Sequence, residues 1–502
     1  MKKHFWIISL LSILSLLIWV IVSLDRGTVG FPLDDGWIHQ TYARNLARGE
    51  GWTYVPGQPS AGATAPLWVL LLVPGYWLGG SPVCWVLLLG LLQVWGLAWL
   101  SYRCWPYLSR HGGWWLVAAG LVIGLEWHLL WAALSGMETL LMAVLIFGVL
   151  AGLLRLEMDY SSMGGGGSEK WWWFGLGGMV GLGIWVRPEA VTLLGPVLFV
   201  SLLMQAESLR SRWLRAGWSL LGSVSLFLPY LAFNWWLAGN WWPNTFFAKQ
   251  AEYAVLREAP LFSRLIQQPV PLLVGVGVLL LPGFLYYLVR SIREQRWARV
   301  AGGLWLIGFI GLYAIRLPVT YQHGRYMIPA IPVLVIWGLA GTAALVGGQK
   351  TGRLRWILSR VTAATIAILL VLFWWLGMDS FTKDVAVING EMVKVAGWLV
   401  GNSDPDDLIA AHDIGAIGYF TERELLDLAG LISPDVIPFI RDEARLADYL
   451  DENCPVYFVT FPDWYPELVA GREKVYQTDT AITREFDQMN MAVYLWGSCT
   501  AE

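Results

Sequence analysis

The sequence predicts an all-α, polytopic membrane domain followed by a small external α/β domain, and three observations carry that reading. Of its 502 residues, 56% are hydrophobic and only 14% charged, with a mean hydropathy of +0.53; soluble domains carry about 25% charged residues. Apolar runs long enough to cross ~30 Å of hydrocarbon as helices recur down the chain. From Asp379 onward that pattern stops and the composition turns polar.

The runs fall near 5–24, 83–101, 114–133, 138–154, 171–186, 190–206, 217–236, 270–289, 301–316, 329–346 and 361–377, which makes about eleven transmembrane helices. The first follows Met1-Lys2-Lys3 and lacks a small-x-small cleavage site, so it reads as an uncleaved span with a cytoplasmic N-terminus. Many of the 33 Trp residues stand beside predicted span ends, as an interfacial aromatic belt requires.

Pro66–Leu78 is too short for a crossing and has Pro74 and Gly75 inside it, which suits a re-entrant or interfacial helix. Charge parity agrees. If this segment does not cross, the inner loops hold seventeen Lys and Arg residues against nine in the outer loops before the tail. A crossing would invert every later loop, against the positive-inside tendency. Residues 25–82 then form one external loop, the transmembrane domain occupies 1–377, and residues 378–502 lie outside the plasma membrane as a second domain.

In that tail, apolar runs at 407–411, 424–428, 455–460 and 491–496 read as strands, with helices near 387–401 and 437–451. Cys454 precedes one predicted strand and Cys499 follows another. In antiparallel neighbours those ends meet, so a disulfide and two unpaired core thiols are both open readings. Gly164–Gly167 reads as a flexible inner linker. The net charge of −3 gives no reason to expect a nucleic-acid partner.

Chemistry gathers on the outer face. Asp34 and Asp35 open an amphipathic stretch that ends at Gly49 and Gly51. Capping accounts for one acid but not for two beside a membrane, where charge is costly. Glu138, in Ser135-Gly-Met-Glu-Thr139, reads as a second acid or a cap. Arg187-Pro-Glu189, Trp242-Pro-Asn244-Thr-Phe-Phe-Ala-Lys249 and His323-Gly-Arg325-Tyr326 follow on the same face. Arg and Lys beside acids suit a phosphate-bearing lipid, with a carboxylate free to accept a proton from an incoming hydroxyl. Glu126 and His128 lie inside the third predicted span and read as a structural pair between helices.

The string Leu33-Asp34-Asp35-Gly-Trp-Ile-His-Gln-Thr-Tyr42-Ala-Arg44, with Thr64-Ala-Pro-Leu-Trp68, resembles the GT-C superfamily of membrane glycosyltransferases. It is most similar to the branch of arabinofuranosyltransferases and mannosyltransferase-like enzymes that use polyprenyl-phosphate sugars. Gly136-Met-Glu-Thr139, Arg187-Pro-Glu-Ala190, Pro243–Lys249, Arg325–Pro329 and His412-Asp413-Ile-Gly-Ala-Ile-Gly-Tyr419 extend the likeness. The resemblance implies an inverting transfer of a sugar from a polyprenyl-phosphate-linked donor to an extracytoplasmic glycan, lipid or protein. It further implies Asp34, with Asp35 beside it, as general base, and Pro66–Leu78 as a juxtamembrane helix. Glu138 matches a position that in some members helps hold a divalent cation such as Mg or Mn. Arg187, Lys249 and Arg325 become candidates for the donor phosphate, and Tyr42, Arg44, Glu189, Asn244, His323, Tyr326 and Asp413 further site candidates. Trp37 and His39 depart from relatives, so donor-sugar identity does not carry over. The rival readings are a polytopic transporter or lipid-carrier flippase, which would place charge near mid-membrane in matched halves, and a catalytically inactive family member.

Overall fold

The computed structural model describes residues 2–159, 168–205, 208–346, 353–485 and 488–497; the Gly164–Gly167 run and Cys499 lie outside the described residues. Each of the eleven apolar runs falls on helix. Among the described residues, seven helices are long and apolar enough to cross a membrane, or nine if each bent pair counts as one span. The chain is a multi-pass membrane protein, with fewer straight spans than eleven. The reasons are local. The run at 114–133 breaks by 42° between Trp114–Gly124 and Trp127–Leu134, where the Glu126 carboxylate caps the second piece by accepting from the Leu129 amide and holds His128 at 2.8 Å. The run at 270–289 meets Pro269, Pro271 and Gly275, and its helices Leu261–Leu273 and Gly277–Arg293 turn through 111°. The run at 190–206 is the shorter helix Pro188–Leu203, and that at 171–186 the 17-residue helix Ser168–Ile184. Hydropathy averages over a window and cannot register a bend.

Pro66–Trp77 is a helix of 12 residues that does not span. Gly75 lets it lie against the next helix, because a Cβ there would come within 2.6 Å of the Trp85 ring. It packs on the Asp35–Ala47 helix, and a small hairpin of β1 (Thr53–Val55) and β2 (Gln58–Pro59) follows that helix.

The last span runs without interruption past residue 377. Arg353–Ile388 continues through a π-helical turn at Asn389–Val393 into Lys394–Asn402, so the expected span and the first tail helix are one rod. At 1.5 Å per residue, the 47-residue helix Trp356–Asn402 is about 70 Å long.

On this rod sits a mixed five-stranded sheet of β3 (Ile409–Ala411), β4 (Leu425–Asp427), β5 (Tyr457–Thr460), β6 (Lys474–Gln477) and β7 (Ala492–Leu495), in the order β4-β3-β5-β7-β6. Four strands coincide with the expected ones. The edge strand β6 is half exposed and lacks an apolar run to announce it. The helix expected over 437–451 begins later, at Glu443, after a 3₁₀ turn at Pro434–Phe439. Strands β5 and β7 are antiparallel, with Tyr457 opposite Leu495. Cys454 is disulfide-bonded, and Cys84 and Cys104 are free.

One apolar cluster joins the first loop to the tail through Phe31, Trp37, Tyr42, Trp52, Ile388, Val395, Ile414 and Ile417. Glu391, fully buried in the π-helical turn, accepts from the hydroxyls of Thr478 and Thr483, the Asn490 amide and the Met491 N–H. Glu391→Ala removes the acceptor of the Thr483 hydroxyl and the Met491 N–H, at about 1–3 kcal/mol each, while Thr478 and Asn490 keep the Met491 and Thr480 carbonyls. We expect limited proteolysis in detergent to cleave the tail of that variant about tenfold faster than wild type or more; equal rates would show that the contact does not hold the domain.

Candidate functional site

Asp34 and Asp35 are adjacent in sequence and point to different partners. Asp34 has helical backbone angles and makes no side-chain cap to its own helix. Its carboxylate accepts instead from the amides of Gly415 (2.6 Å) and Ala416 (2.7 Å), at the start of the tail helix Gly415–Thr421. Only glycine permits this approach, since a Cβ at 415 would lie 2.0 Å from the Asp34 carbonyl oxygen. Burial and the facing Asp413 raise the Asp34 carboxyl to about 8, against the pull of the two amides. Burial likewise raises Asp413 to about 6, and its Oδ2 is buried without a partner.

Asp35 opens the helix Asp35–Ala47, and its Oδ2 accepts from Arg325 Nη1 at 2.7 Å and Lys249 Nζ at 3.2 Å. Burial pushes this carboxyl up, but the two cations outweigh burial and hold it well below the usual carboxylate range. Lys249 rides on the helix Asn244–Glu252, started by Pro243. Arg325 follows a strained turn in which Gln322 (φ 55°) and His323 (φ 56°) are both left-handed. His323 is held there by Asp384 at 2.8 Å, with Trp127 and Trp131 against its ring.

A second group lies beside this one. Arg187 bonds Glu189 at 2.6 Å and stands 3.4 Å from Glu138, whose other oxygen is 3.2 Å from His39. Tyr313 donates to Glu189. The Tyr326 ring stands between two guanidiniums, 5.0 Å from Arg187 and 5.1 Å from Arg325, and each cation faces its π-cloud.

Two cavities meet at Asp35. One, of about 440 Å³, is lined by Glu138, Arg187 and Glu189 together with Trp242, Phe246, Leu312 and Leu317. The other, of about 580 Å³, opens between the bundle and the tail, with Asp34, Glu252, His323, Asp384, His412 and Asp413 beside Trp131, Phe461 and Trp464. Asp35, Ile38, Lys249, Arg325 and Leu431 line both.

The remaining expected residues line neither cavity. Tyr42 is buried against Ser60 and the Gly62 amide. Arg44 reaches the Tyr419 carbonyl and Glu422. Asn244 donates to the Leu431 carbonyl and so fixes the wall between the cavities. Sequence reading passed over Tyr313, Glu252, Asp384, His412 and Asp427. Glu252 lies one helical turn beyond Lys249, a signal that could have been used. Asp427 is fully buried and accepts from the amides of Ala429, Leu431 and Ile432, which shapes the loop presenting Leu431; it sits in an apolar run that gives no hint of this.

Among the described residues no group of three or more His, Cys, Asp or Glu could hold a metal ion. The carboxylates of the first cavity do not fit a divalent cation in this arrangement, because Asp35, Glu138 and Glu189 each already face a guanidinium or ammonium.

A family model described as a domain of unknown function (DUF8728) matches residues 383–494, most of the tail. No curated protein matches the sequence. Among solved structures, the chain is similar to ArnT from Cupriavidus metallidurans bound to undecaprenyl phosphate, with a TM-score of 0.60 and 16% identity over 97% of each chain. It is similar to the Archaeoglobus fulgidus oligosaccharyltransferase, with a TM-score of 0.63 and 11% identity over 92% of this chain and 69% of that one. The arabinofuranosyltransferase AftD from Mycobacteria gives 0.56 and 16%, and there the match spans all of this chain but 42% of the other. These likenesses establish the fold: the chain has the GT-C fold.

Asp34, Asp413 and Asp427 are raised, and His412 is raised well above its ordinary value of 6.5 although burial opposes it. The folded state therefore binds more protons than the unfolded chain, and this stability is lost as pH rises through the raised values. Asp35 and Glu252 are lowered and act only at acid pH. The melting temperature in detergent is expected to fall between about pH 5 and pH 8, and Asp413→Asn should flatten part of that slope.

Proposed function

We propose that the chain is a membrane glycosyltransferase that moves a sugar from a polyprenyl-phosphate-linked donor to an acceptor outside the cytoplasm, with inversion at the anomeric carbon. One observation carries this reading: the Asp35 carboxylate stands between Lys249 and Arg325 in the wall common to two cavities. The GT-C fold supports it, as does the undecaprenyl phosphate bound to a protein of similar fold.

In this mechanism the donor enters the first cavity. Its phosphate lies against Lys249 and Arg325, and Trp242, Phe246 and Leu312 receive the start of the isoprenoid chain. The acceptor hydroxyl arrives from the second cavity. It gives its proton to Asp35 as its oxygen bonds the anomeric carbon, while the bond from that carbon to the phosphate oxygen breaks. The donor phosphodiester carries one negative charge and the departing lipid phosphate two. Fixed cations therefore bind the leaving group more strongly than the substrate, which is what accelerates the step.

Asp35, rather than Asp34, is the base in this scheme. Both Asp34 oxygens already accept amide protons from the tail, whereas the Asp35 side chain is 27% exposed and reaches both cavities. Arg187 has its charge matched by Glu138 and Glu189, so it orients those acids toward the hydroxyls of the donor sugar instead of taking the phosphate alone. No step runs through a divalent cation. The excess of basic residues in the inner loops supports a site on the outer face of the plasma membrane and a cytoplasmic N-terminus; the acceptor is a glycan, lipid or protein.

The test is transfer of a radiolabelled sugar from polyprenyl-phosphate donors in membranes. Asp35→Asn is expected to lower the rate by about 10²–10⁴-fold, and Lys249→Met to lower it as well. Asp34→Asn should act mainly through the amount of folded protein. Wild-type activity in Asp35→Asn would overturn the assignment.

A further inference from the structure

The reaction proposed above asks Asp35 to be a base and Lys249 and Arg325 to be phosphate ligands, yet in the structure both cations are engaged on Asp35 itself. Arg325 Nη1 and Lys249 Nζ both bond the same oxygen, Asp35 Oδ2. A carboxylate held by two cations is a poor proton acceptor. We infer that Lys249 and Arg325 pass from Asp35 to the donor phosphate, so that donor binding itself creates the base and the acceptor reacts only second. This rests on the transferase reading and adds an order and a switch to it.

The other cations of the first cavity are not positioned to substitute. Arg187 is matched by Glu138 and Glu189. Arg316 stands exposed over Phe246, with its guanidinium on Gln250. Arg325, by contrast, is only 5% exposed, and its Nε is buried without any acceptor. The guanidinium therefore has a donor unused by Asp35, which an acceptor such as a phosphate oxygen satisfies once the side chain turns toward it.

Charge accounting supports the exchange. Free, the trio carries one net positive charge, which draws an anion in. A phosphodiester brings it to zero. When Asp35 takes the acceptor proton, its negative charge is lost as the phosphate gains one, so the total stays at zero through the transfer. No charge is left unbalanced in a site largely shielded from water. When the lipid phosphate leaves, Asp35 gives up the proton to solvent and recaptures both cations.

The experiment is binding of undecaprenyl phosphate to the purified full-length protein in detergent micelles, read by tryptophan fluorescence and by the thermal shift. Asp35→Asn removes the competitor for the two cations. It is expected to bind the probe about tenfold tighter than wild type, or more. Asp35→Glu keeps the charge and should bind as wild type does. Lys249→Met should bind more weakly, and in the double variant Asp35→Asn/Lys249→Met the gain should shrink. If Asp35→Asn does not fold, Asp35→Ser makes the same test. Equal or weaker binding by the neutral variant overturns the exchange and leaves the transferase reading standing; no binding by the wild type overturns both.

Discussion

One oxygen atom organises the centre of this protein. Asp35 Oδ2 receives Lys249 and Arg325, which come from segments more than two hundred residues further along the chain. A buried ammonium or guanidinium without a counter-charge costs several kcal/mol, and in this arrangement the carboxylate is what balances both cations. The contact therefore fixes where the helix Asn244–Glu252 and the strained turn at Gln322 and His323 must end. From Arg325 the order passes through the Tyr326 ring to Arg187, and from there to Glu138, Glu189 and His39. Each cation in that chain has an anion or a π-face beside it, as burial demands.

The residue before Asp35 ties the same helix start to a different body. Asp34 faces the tail and accepts the first amides of the helix Gly415–Thr421. One helical turn thus carries both the attachment of the tail and the charged centre. The tail is held independently by Glu391 in the π-helical turn and by the apolar cluster around Trp37, Trp52 and Ile417. Because the tail supplies His412, Asp413, Phe461 and Trp464 to the second cavity, that cavity exists only when the two parts are docked. Its depth reflects the same contacts that hold the domain.

Strain and bends sit where this centre needs them. Two consecutive left-handed residues that are not glycine cost about 1–3 kcal/mol each, and here the His323–Asp384 bond and two tryptophan rings support them. Their effect is to deliver Arg325 to Asp35. The 42° break after Gly124 similarly brings Trp127 and Trp131 to His323, and its Glu126–His128 pair serves the break, not the chemistry.

Composition and charge by themselves determined much. Hydropathy located the long apolar helices, because a span must bury its backbone polar groups in its own hydrogen bonds, but not the polar helix Asn244–Glu252 that carries Lys249. The distribution of basic residues grouped Asp34, Glu138, Arg187, Lys249 and Arg325 on one face, and the structure brings those loops together. What sequence could not decide was direction. Asp34 and Asp35 are identical side chains one residue apart, and only the positions of Gly415 and of the Lys249–Arg325 pair separate an acid bonded to the tail from one that faces both cavities. Helix bends, the edge strand Lys474–Gln477 and the buried Asp427 were likewise hidden. They are set by contacts between segments distant in the chain, and no local pattern of polarity records the direction in which a side chain will find its partner.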